Sequence, residues 1–161
     1  NCAIRLSIGP MPVSSPKLPS RFKFQNGIGN QVREGDKFVI FTYGQTMINE
    51  AFKASKILCK KNIHLEIINM SSLNNFNREW FKKKIKRFSH IFFLDDHFLS
   101  GGMSDLLITF LNENQLLKNK FVKKFGFKDF PACGSYEEVL DYHKLDSINL
   151  AKQITRTIKN D

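Results

Sequence analysis

The sequence predicts an α/β fold, a three-layer α/β/α sandwich around a mostly parallel sheet of about five strands. Short apolar runs alternate with segments in which apolar residues recur at helical spacing, the pattern of strand-helix-strand units. Some of these runs, such as residues 91–94, are apolar without interruption, which is typical of strands covered on both faces. Glycine or a capping residue stands between several runs and the helices that follow.

The first 34 residues differ in composition from the rest of the chain. Residues 1–9 contain an apolar run that predicts a short strand, and residues 10–34 are rich in proline, serine and glycine. Because proline has no amide donor for a sheet, we expect an extended, exposed linker that stays irregular through Gly29 and Gly35. Residues 35–161 carry the alternating pattern, and we expect them to form one α/β domain.

Within that domain, strands are predicted over residues 38–43, 63–68, 90–94 and 120–125. Thr46 and Asn77 are expected to cap the first two helices, and Ser135 to open a short one. Four helices show a stripe of apolar residues that we expect to face inward: Met47, Ala51, Ala54 and Leu58; Trp80, Phe81, Ile85 and Phe88; Met103, Leu106, Leu107, Phe110 and Leu111; Ile148, Ala151, Ile154 and Ile158.

Composition narrows the class of protein. The 161 residues are 42% hydrophobic and include 16 Phe, enough to bury a core. No apolar run approaches the length of about 20 residues that spans a membrane, and no signal-peptide pattern opens the sequence. We therefore expect a cytoplasmic protein. The three cysteines, Cys2, Cys59 and Cys133, have no metal-ligand spacing and are expected to be reduced thiols.

The formal net charge of +10 has two interpretations. One is a surface for nucleic acid, which would give binding that weakens steeply with salt. The other is compositional drift, because Lys, Asn, Phe and Ile are abundant together throughout the chain. The densest basic cluster lies on a predicted helix with an apolar opposite side, which favours a solvated face over a surface for nucleic acid. Its members are Lys82, Lys83, Lys84, Lys86 and Arg87.

A candidate site follows the predicted strand 90–94. Asp95, Asp96 and His97 stand at its carboxyl end, where open α/β sheets commonly bind ligands. Asp96 or His97 can exchange a proton or hold a cation there. The alternative is structural, with the acidic pair capping and orienting the glycine turn that follows.

The glycine turn offers a further possibility at the start of the next helix. Backbone amides near Gly101, Gly102 and Met103 can bind an anion at a helix N-terminus. The chain has no phosphate-cradling glycine loop and no nucleophile elbow. We therefore assign no catalytic, cofactor-binding or metal-binding residue, and treat residues 95–97 and 101–103 as an anion site or a turn.

Three motifs occur in a fixed order along the chain. YGQ at residues 43–45 precedes NEAFKA at 49–54, DDH at 95–97 precedes GGMS at 101–104, and GFKDF at 126–130 precedes EVL at 138–140. Together they resemble the C-terminal domain of transketolase-type thiamine diphosphate enzymes. That superfamily includes transketolase, deoxyxylulose-phosphate synthase and the β subunit of 2-oxoacid dehydrogenases.

The resemblance implies a piece of a larger enzyme, with residues 1–9 as the last strand of a truncated pyrimidine-binding domain. The parent is implied to transfer a two-carbon ketol unit with thiamine diphosphate and Mg²⁺, both held outside this fragment. The fragment itself is expected to bind no cofactor and to catalyse nothing. Its implied role is assembly, within a parent homodimer or with a partner subunit, and shaping of the active-site entrance.

Two points stay open after the resemblance. Ile8 stands where the family usually has a basic residue that contacts the substrate phosphate, so the donor and acceptor sugars are undefined. The alternative parent is a 2-oxoacid dehydrogenase β subunit, in which this domain would dock an acyltransferase core.

Overall fold

A computed structural model describes residues 23–160 and shows a five-stranded sheet in the order β1-β3-β2-β4-β5. The β1–β3 pair is antiparallel, and the other three pairs are parallel. This confirms the mostly parallel α/β fold. The strands are β1 Gly29–Arg33, β2 Phe38–Thr42, β3 Leu65–Met70, β4 His90–Phe98 and β5 Phe121–Phe127.

Helices cover both faces of the sheet. Successive residues of a strand point to opposite faces, so Ile40 of β2 packs in one core cluster and Val39 and Phe41 in the other. The first cluster includes α1 and α5, and the second includes α2 and α3. The helices are α1 Gln45–Cys59, α2 Arg78–Lys84 with a 3₁₀ turn Ile85–Arg87, α3 Met103–Glu113, α4 Tyr136–Tyr142 and α5 Ser147–Lys159.

The edge strand β1 was not expected, because it falls in the stretch predicted to be irregular. Gly29 pairs with Met70 and Gln31 with Ile68. A Cβ on Gly29 would collide with Ile68 Cγ2 and lie 2.8 Å from Met70 Sδ, so this glycine permits close packing against β3. The predicted strand in residues 1–9, the start of the linker and Ile8 lie outside the described residues.

Strand β4 is longer than predicted, which corrects the placement of the turn. The strand continues through Asp95, Asp96 and His97 to Phe98, which pairs with Phe127 after an irregularity in the register. The turn is therefore made by residues 99–102. Strand β5 likewise runs past the predicted end at Gly126 to Phe127.

Two of the predicted helix starts are confirmed, and three other expectations are corrected. Ser135 opens α4 and caps it, since its Oγ accepts a hydrogen bond from the amide of Glu138 at 3.4 Å. Asn77 caps α2 as expected, since its Oδ1 accepts a hydrogen bond from the amide of Trp80 at 2.9 Å. Thr46 lies inside α1, which starts after Gly44 without a side-chain cap. Leu106 is 50% exposed and Ile148 is 55% exposed, because neighbouring residues fill the buried faces of α3 and α5. Among residues 23–160, no helix is long and apolar enough to cross a membrane.

Candidate functional site

Asp95 is the last buried residue of β4 and holds the start of α3. Its side chain is fully buried, and its Oδ2 accepts a hydrogen bond from the amide of Ser104 at 3.1 Å. This carboxylate therefore satisfies one of the amides that a helix leaves unpaired at its first turn. A Cβ on Gly102 would lie 2.7 Å from the same oxygen, so the turn needs a glycine where it passes the Asp95 carboxylate.

A second carboxylate fixes the other side of the turn. Gly101 has a φ of +81°, and its amide donates to Asp105 Oδ2 at 2.7 Å. Asp105 also forms an ion pair with Lys124 of β5. Lys124 and the Gly101 amide lower the pKa of Asp105 below its ordinary value. The Gly101 amide of the candidate anion site and the adjacent Ser104 amide thus already donate to carboxylates of the chain. Whether residues 95–97 and 101–103 form an anion site or only a turn stays a prediction.

Burial raises the pKa of Asp95 above its ordinary value. The hydrogen bond from the Ser104 amide and the charges of His97 and Lys124 act in the opposite direction without cancelling this effect. Within the described part of the chain, Asp95 Oδ1 has no hydrogen-bond partner. The buried acid is therefore easier to protonate than an ordinary aspartate.

Asp96 and His97 follow Asp95 but are exposed. His97 Nδ1 lies 3.4 Å from the carbonyl oxygen of Phe98, its neighbour. Across residues 23–160, no three His, Cys, Asp or Glu side chains are grouped so that they could hold a metal ion. A role for Asp96 or His97 in proton transfer or cation binding stays a prediction.

Tyr136, which belongs to none of the sequence motifs, lies near enough to Asp96 to feel its charge. It opens α4, and its pKa is raised to about 12 by burial and by the charges of Glu50, Asp96 and Glu137, against a hydrogen bond with Thr46. No sequence signal identifies this proximity, because it depends on how the loop after β5 returns to the carboxyl end of the sheet. The structure thus brings a phenol and carboxylates together where β2 and β4 end.

Glu50 was noted only as part of a motif, and the structure gives it a definite role. It is 3% exposed, and its Oε2 accepts a hydrogen bond from the amide of Ser147 at 2.8 Å. Its Oε1 accepts from Lys53 at 2.9 Å. Since Ser147 begins α5, this buried carboxylate fastens α5 to α1 on one face of the sheet.

The basic cluster on α2 is not wholly a solvated face, which corrects that interpretation. Glu66 is fully buried in β3, and Lys84 Nζ lies 2.5 Å from its Oε1. The Arg87 guanidinium forms an ion pair with Glu66 Oε2, and the amide of Gly35 donates to the same oxygen at 3.4 Å. Two cations of the cluster are therefore engaged with the sheet, which leaves three exposed ones: Lys82, Lys83 and Lys86.

These features define an α/β/α sandwich domain with a glycine turn at the carboxyl end of its parallel sheet. The family model described as "Transketolase, C-terminal domain" matches residues 27–150. The chain therefore belongs to the transketolase C-terminal domain family.

Curated relatives and solved structures agree with this assignment. A transketolase C-terminal section from Methanocaldococcus jannaschii is 28% identical over 95% of this chain and 49% of its own length. A pyruvate dehydrogenase E1 component β subunit from Mesostigma viride is 31% identical over 76% of this chain and 38% of its own. The chain thus spans about half or less of the length of these relatives.

The fold also matches a solved structure of a split-gene transketolase, an inactive β4 tetramer. The two chains superpose with a TM-score of 0.74 at 19% identity, over 88% of this chain and 46% of the other. At that identity the match shows the fold alone.

Proposed function

We propose that this chain is the non-catalytic C-terminal domain of an enzyme that transfers a two-carbon ketol unit with thiamine diphosphate in the cytoplasm. The match of the family model over residues 27–150 carries this proposal. The incomplete coverage of the relatives, 49% of the Methanocaldococcus jannaschii protein, supports a parent with further domains. The parent would be a homodimer, or would be completed by a partner subunit.

Residues 23–160 contain no group of three His, Cys, Asp or Glu side chains that could hold a metal ion. On the family resemblance we propose that thiamine diphosphate and Mg²⁺ bind to polypeptide outside these residues, and we assign no reaction step to them. When bound, the cofactor supplies the electron sink of ketol transfer.

An apolar surface at the carboxyl end of the sheet supports a role in assembly. We define this carboxyl-end surface by four exposed residues: Leu73 (38% exposed), Phe98 (37%), Leu106 (50%) and Phe130 (88%). Leu73 and Leu106 line one shallow cavity with the glycine turn, and the rings of Phe98 and Phe130 meet edge to face at 6.3 Å. Grouped apolar exposure of this kind marks protein interaction sites.

The occupant of this surface would be the cofactor-bearing part of the parent enzyme, whose missing length is at least as great as that of this chain in the relatives. The domain would thereby shape the active-site entrance. Asp96 and His97 are exposed beside Phe98, so they would lie at that entrance.

Co-expression with the cofactor-bearing polypeptide tests this function. We expect the complex to bind thiamine diphosphate in calorimetry and to transfer ketol units between sugars. Leu106→Glu and Phe130→Glu should reduce co-purification and activity together, because each places a charge in the interface. Ile148→Glu is the matched control, since Ile148 is 55% exposed on α5, on a different element. Equal loss in all three variants, or no loss in any, would contradict the assembly role.

The second candidate is the C-terminal domain of a 2-oxoacid dehydrogenase β subunit. The 31% identity to the Mesostigma viride pyruvate dehydrogenase subunit favours it. The domain would then dock an acyltransferase core. Co-purification of a lipoyl-bearing partner would support this alternative, and ketol transfer between sugars would support the first proposal.

A further inference from the structure

A basic cavity of about 610 Å³ lies between the end of β5, the segment that joins α4 to α5, and α5 itself. It touches the turn of residues 99–102 at Leu99, and none of the four residues of the carboxyl-end surface lines it. Its volume lies in the range of small-molecule sites. Five of the residues that line it are cationic and one, Asp129, is acidic; the cations are Lys124, Lys128, Lys144, Lys152 and Arg156.

Two of these five cations are neutralised by the protein. Lys124 forms an ion pair with Asp105, and Lys144 lies 3.2 Å from Asp141 Oδ1. The other three cations form no ion pair with any residue from 23 to 160. They are Lys128, Lys152 and Arg156.

The unpaired charges are crowded together. Lys152 and Arg156 stand four residues apart on α5, an arrangement in which like charges destabilise a helix. Lys123 lies beside them on β5, where burial lowers its pKa and the charges of Arg156 and Lys128 lower it further. Bringing these cations together costs free energy, which a bound anion would offset.

Part of the cavity wall is fixed by hydrogen bonds. Gln153 Nε2 donates to the carbonyl oxygen of Lys144 at 2.8 Å, and Asn149 Nδ2 donates to Asp141 Oδ1 at 3.0 Å. His143 Nε2 accepts from the amide of Ala132 at 3.1 Å. The first two bonds tie α5 to the segment after α4 and to α4 itself, and the third ties that segment to the loop before α4. This part of the cavity is therefore shaped before any ligand enters.

We propose that this basic cavity binds a small anion that carries two or more phosphate groups. Arg156 offers a planar fork that matches phosphate oxygens, and Lys128 and Lys152 act as point charges beside it. Three unpaired cations and one acid leave an excess of two positive charges, more than one monoanion would balance. The cations surround a concave space rather than a flat stripe, which favours a small ligand over a nucleic-acid duplex.

Calorimetric titration of the purified protein with inorganic pyrophosphate and with tripolyphosphate tests the proposal. We expect saturable one-to-one binding that weakens with salt. Lys152→Gln/Arg156→Gln should weaken it by about tenfold or more, since each substitution removes a charge-assisted contact. Lys128→Gln, on a different element, should weaken it in the same direction. Lys82→Gln/Lys83→Gln is the matched control, because it removes the same net charge from the exposed side of α2.

Three results would overturn the proposal. The first is absence of pyrophosphate and tripolyphosphate binding to the unaltered protein. The second is an equal loss in the control, which would indicate attraction by net charge alone. The third is tight binding of a DNA duplex that Lys152→Gln/Arg156→Gln abolishes while neither phosphate compound binds. Circular dichroism of each variant checks that it has kept its fold.

Discussion

The two ends of the sheet each bury a carboxylate, and they treat it differently. Glu66, at the amino end of β3, lies between Lys84 and Arg87, both from the α2 segment. Asp95, at the carboxyl end of β4, accepts a hydrogen bond from the amide of Ser104, and burial raises its pKa.

We infer from this difference that the amino end of the sheet is held rigidly, whereas the turn at its carboxyl end responds to pH. A buried carboxylate with two cationic partners fastens a helix to the sheet, and removing its partners leaves a buried charge uncompensated. A buried carboxylate held by neutral donors changes its ionisation with pH and so alters the turn that it holds. The carboxyl end is also where exposed apolar residues collect, beside Phe98 and Leu106.

Removing both cations at the amino end should have the largest effect. Lys84→Met/Arg87→Met leaves Glu66 buried and unpaired, so we expect the free energy of unfolding to fall by about 3–5 kcal/mol in urea denaturation. Adding Glu66→Leu should recover most of this loss, because no buried charge remains. Lys82→Met/Lys83→Met, on the exposed side of the same helix, should change stability by less than about 0.5 kcal/mol. If both double variants lose the same free energy of unfolding, the ion pairs of Lys84 and Arg87 with Glu66 do not stabilise the protein.

At the carboxyl end, Gly102→Ala should destabilise the protein by about 1–3 kcal/mol, since the new Cβ would press on Asp95 Oδ2. Gly101→Asn is the control. Nothing lies within 4 Å of a Cβ at Gly101, so only its positive φ strains this variant. Because asparagine adopts this conformation more readily than most residues, a smaller loss, of about 1 kcal/mol or less, is expected. Thermal and urea unfolding measure both. If Gly102→Ala leaves the free energy of unfolding unchanged, the Asp95 carboxylate does not constrain the turn.

The pH dependence of stability should distinguish the acids of the turn. The native pKa of Asp95 is raised, so the stabilisation from its protonated form is complete below the unfolded value and is lost as pH rises through the native one. Asp95→Asn should therefore gain stability relative to wild type from acidic to neutral pH. Asp105 has a lowered pKa, so Asp105→Asn should lose relative stability over the same rise. If the stability of both variants relative to wild type changes in the same direction with pH, the pKa values of Asp95 and Asp105 are not shifted in opposite directions.

The smallest effect is spectroscopic. Partial burial and the nearby acids Glu50 and Asp96 raise the pKa of Tyr136 to about 12, above the value of about 10 that is ordinary for tyrosine. Absorbance titration at alkaline pH should show a late phenol transition that Tyr136→Phe removes. Tyr142→Phe, in the same helix, should retain it. If Tyr142→Phe abolishes the late transition and Tyr136→Phe does not, the raised pKa does not belong to Tyr136.

Local patterns in the sequence predicted most of the fold. Uninterrupted apolar runs located β2 and the buried part of β4, and helical stripes such as Met47 and Ala51 gave the buried face of α1. The strand β1 was missed because Asn30 and Gln31 are polar. Its place depends on pairing with β3, which no local pattern records.

The same distinction applies to the candidate site. The glycine turn was predictable because Gly101 and Gly102 follow a buried strand. The partners Glu66 and Arg87 were not, since they are distant in sequence and meet only when α2 packs on the sheet. The proximity of Tyr136 to Asp96 depends on a long return of the chain after β5, so it too required the three-dimensional structure.

The antiparallel pairing of β1 with β3 has a practical consequence for recombinant fragments. A protein cut at residue 35, the domain boundary suggested by composition, would lack β1 and leave the outer backbone groups of β3 unpaired. Such bare strands recruit strands from other molecules, so the shortened protein would self-associate. A fragment that retains Gly29–Arg33 keeps β3 paired with β1 along this edge.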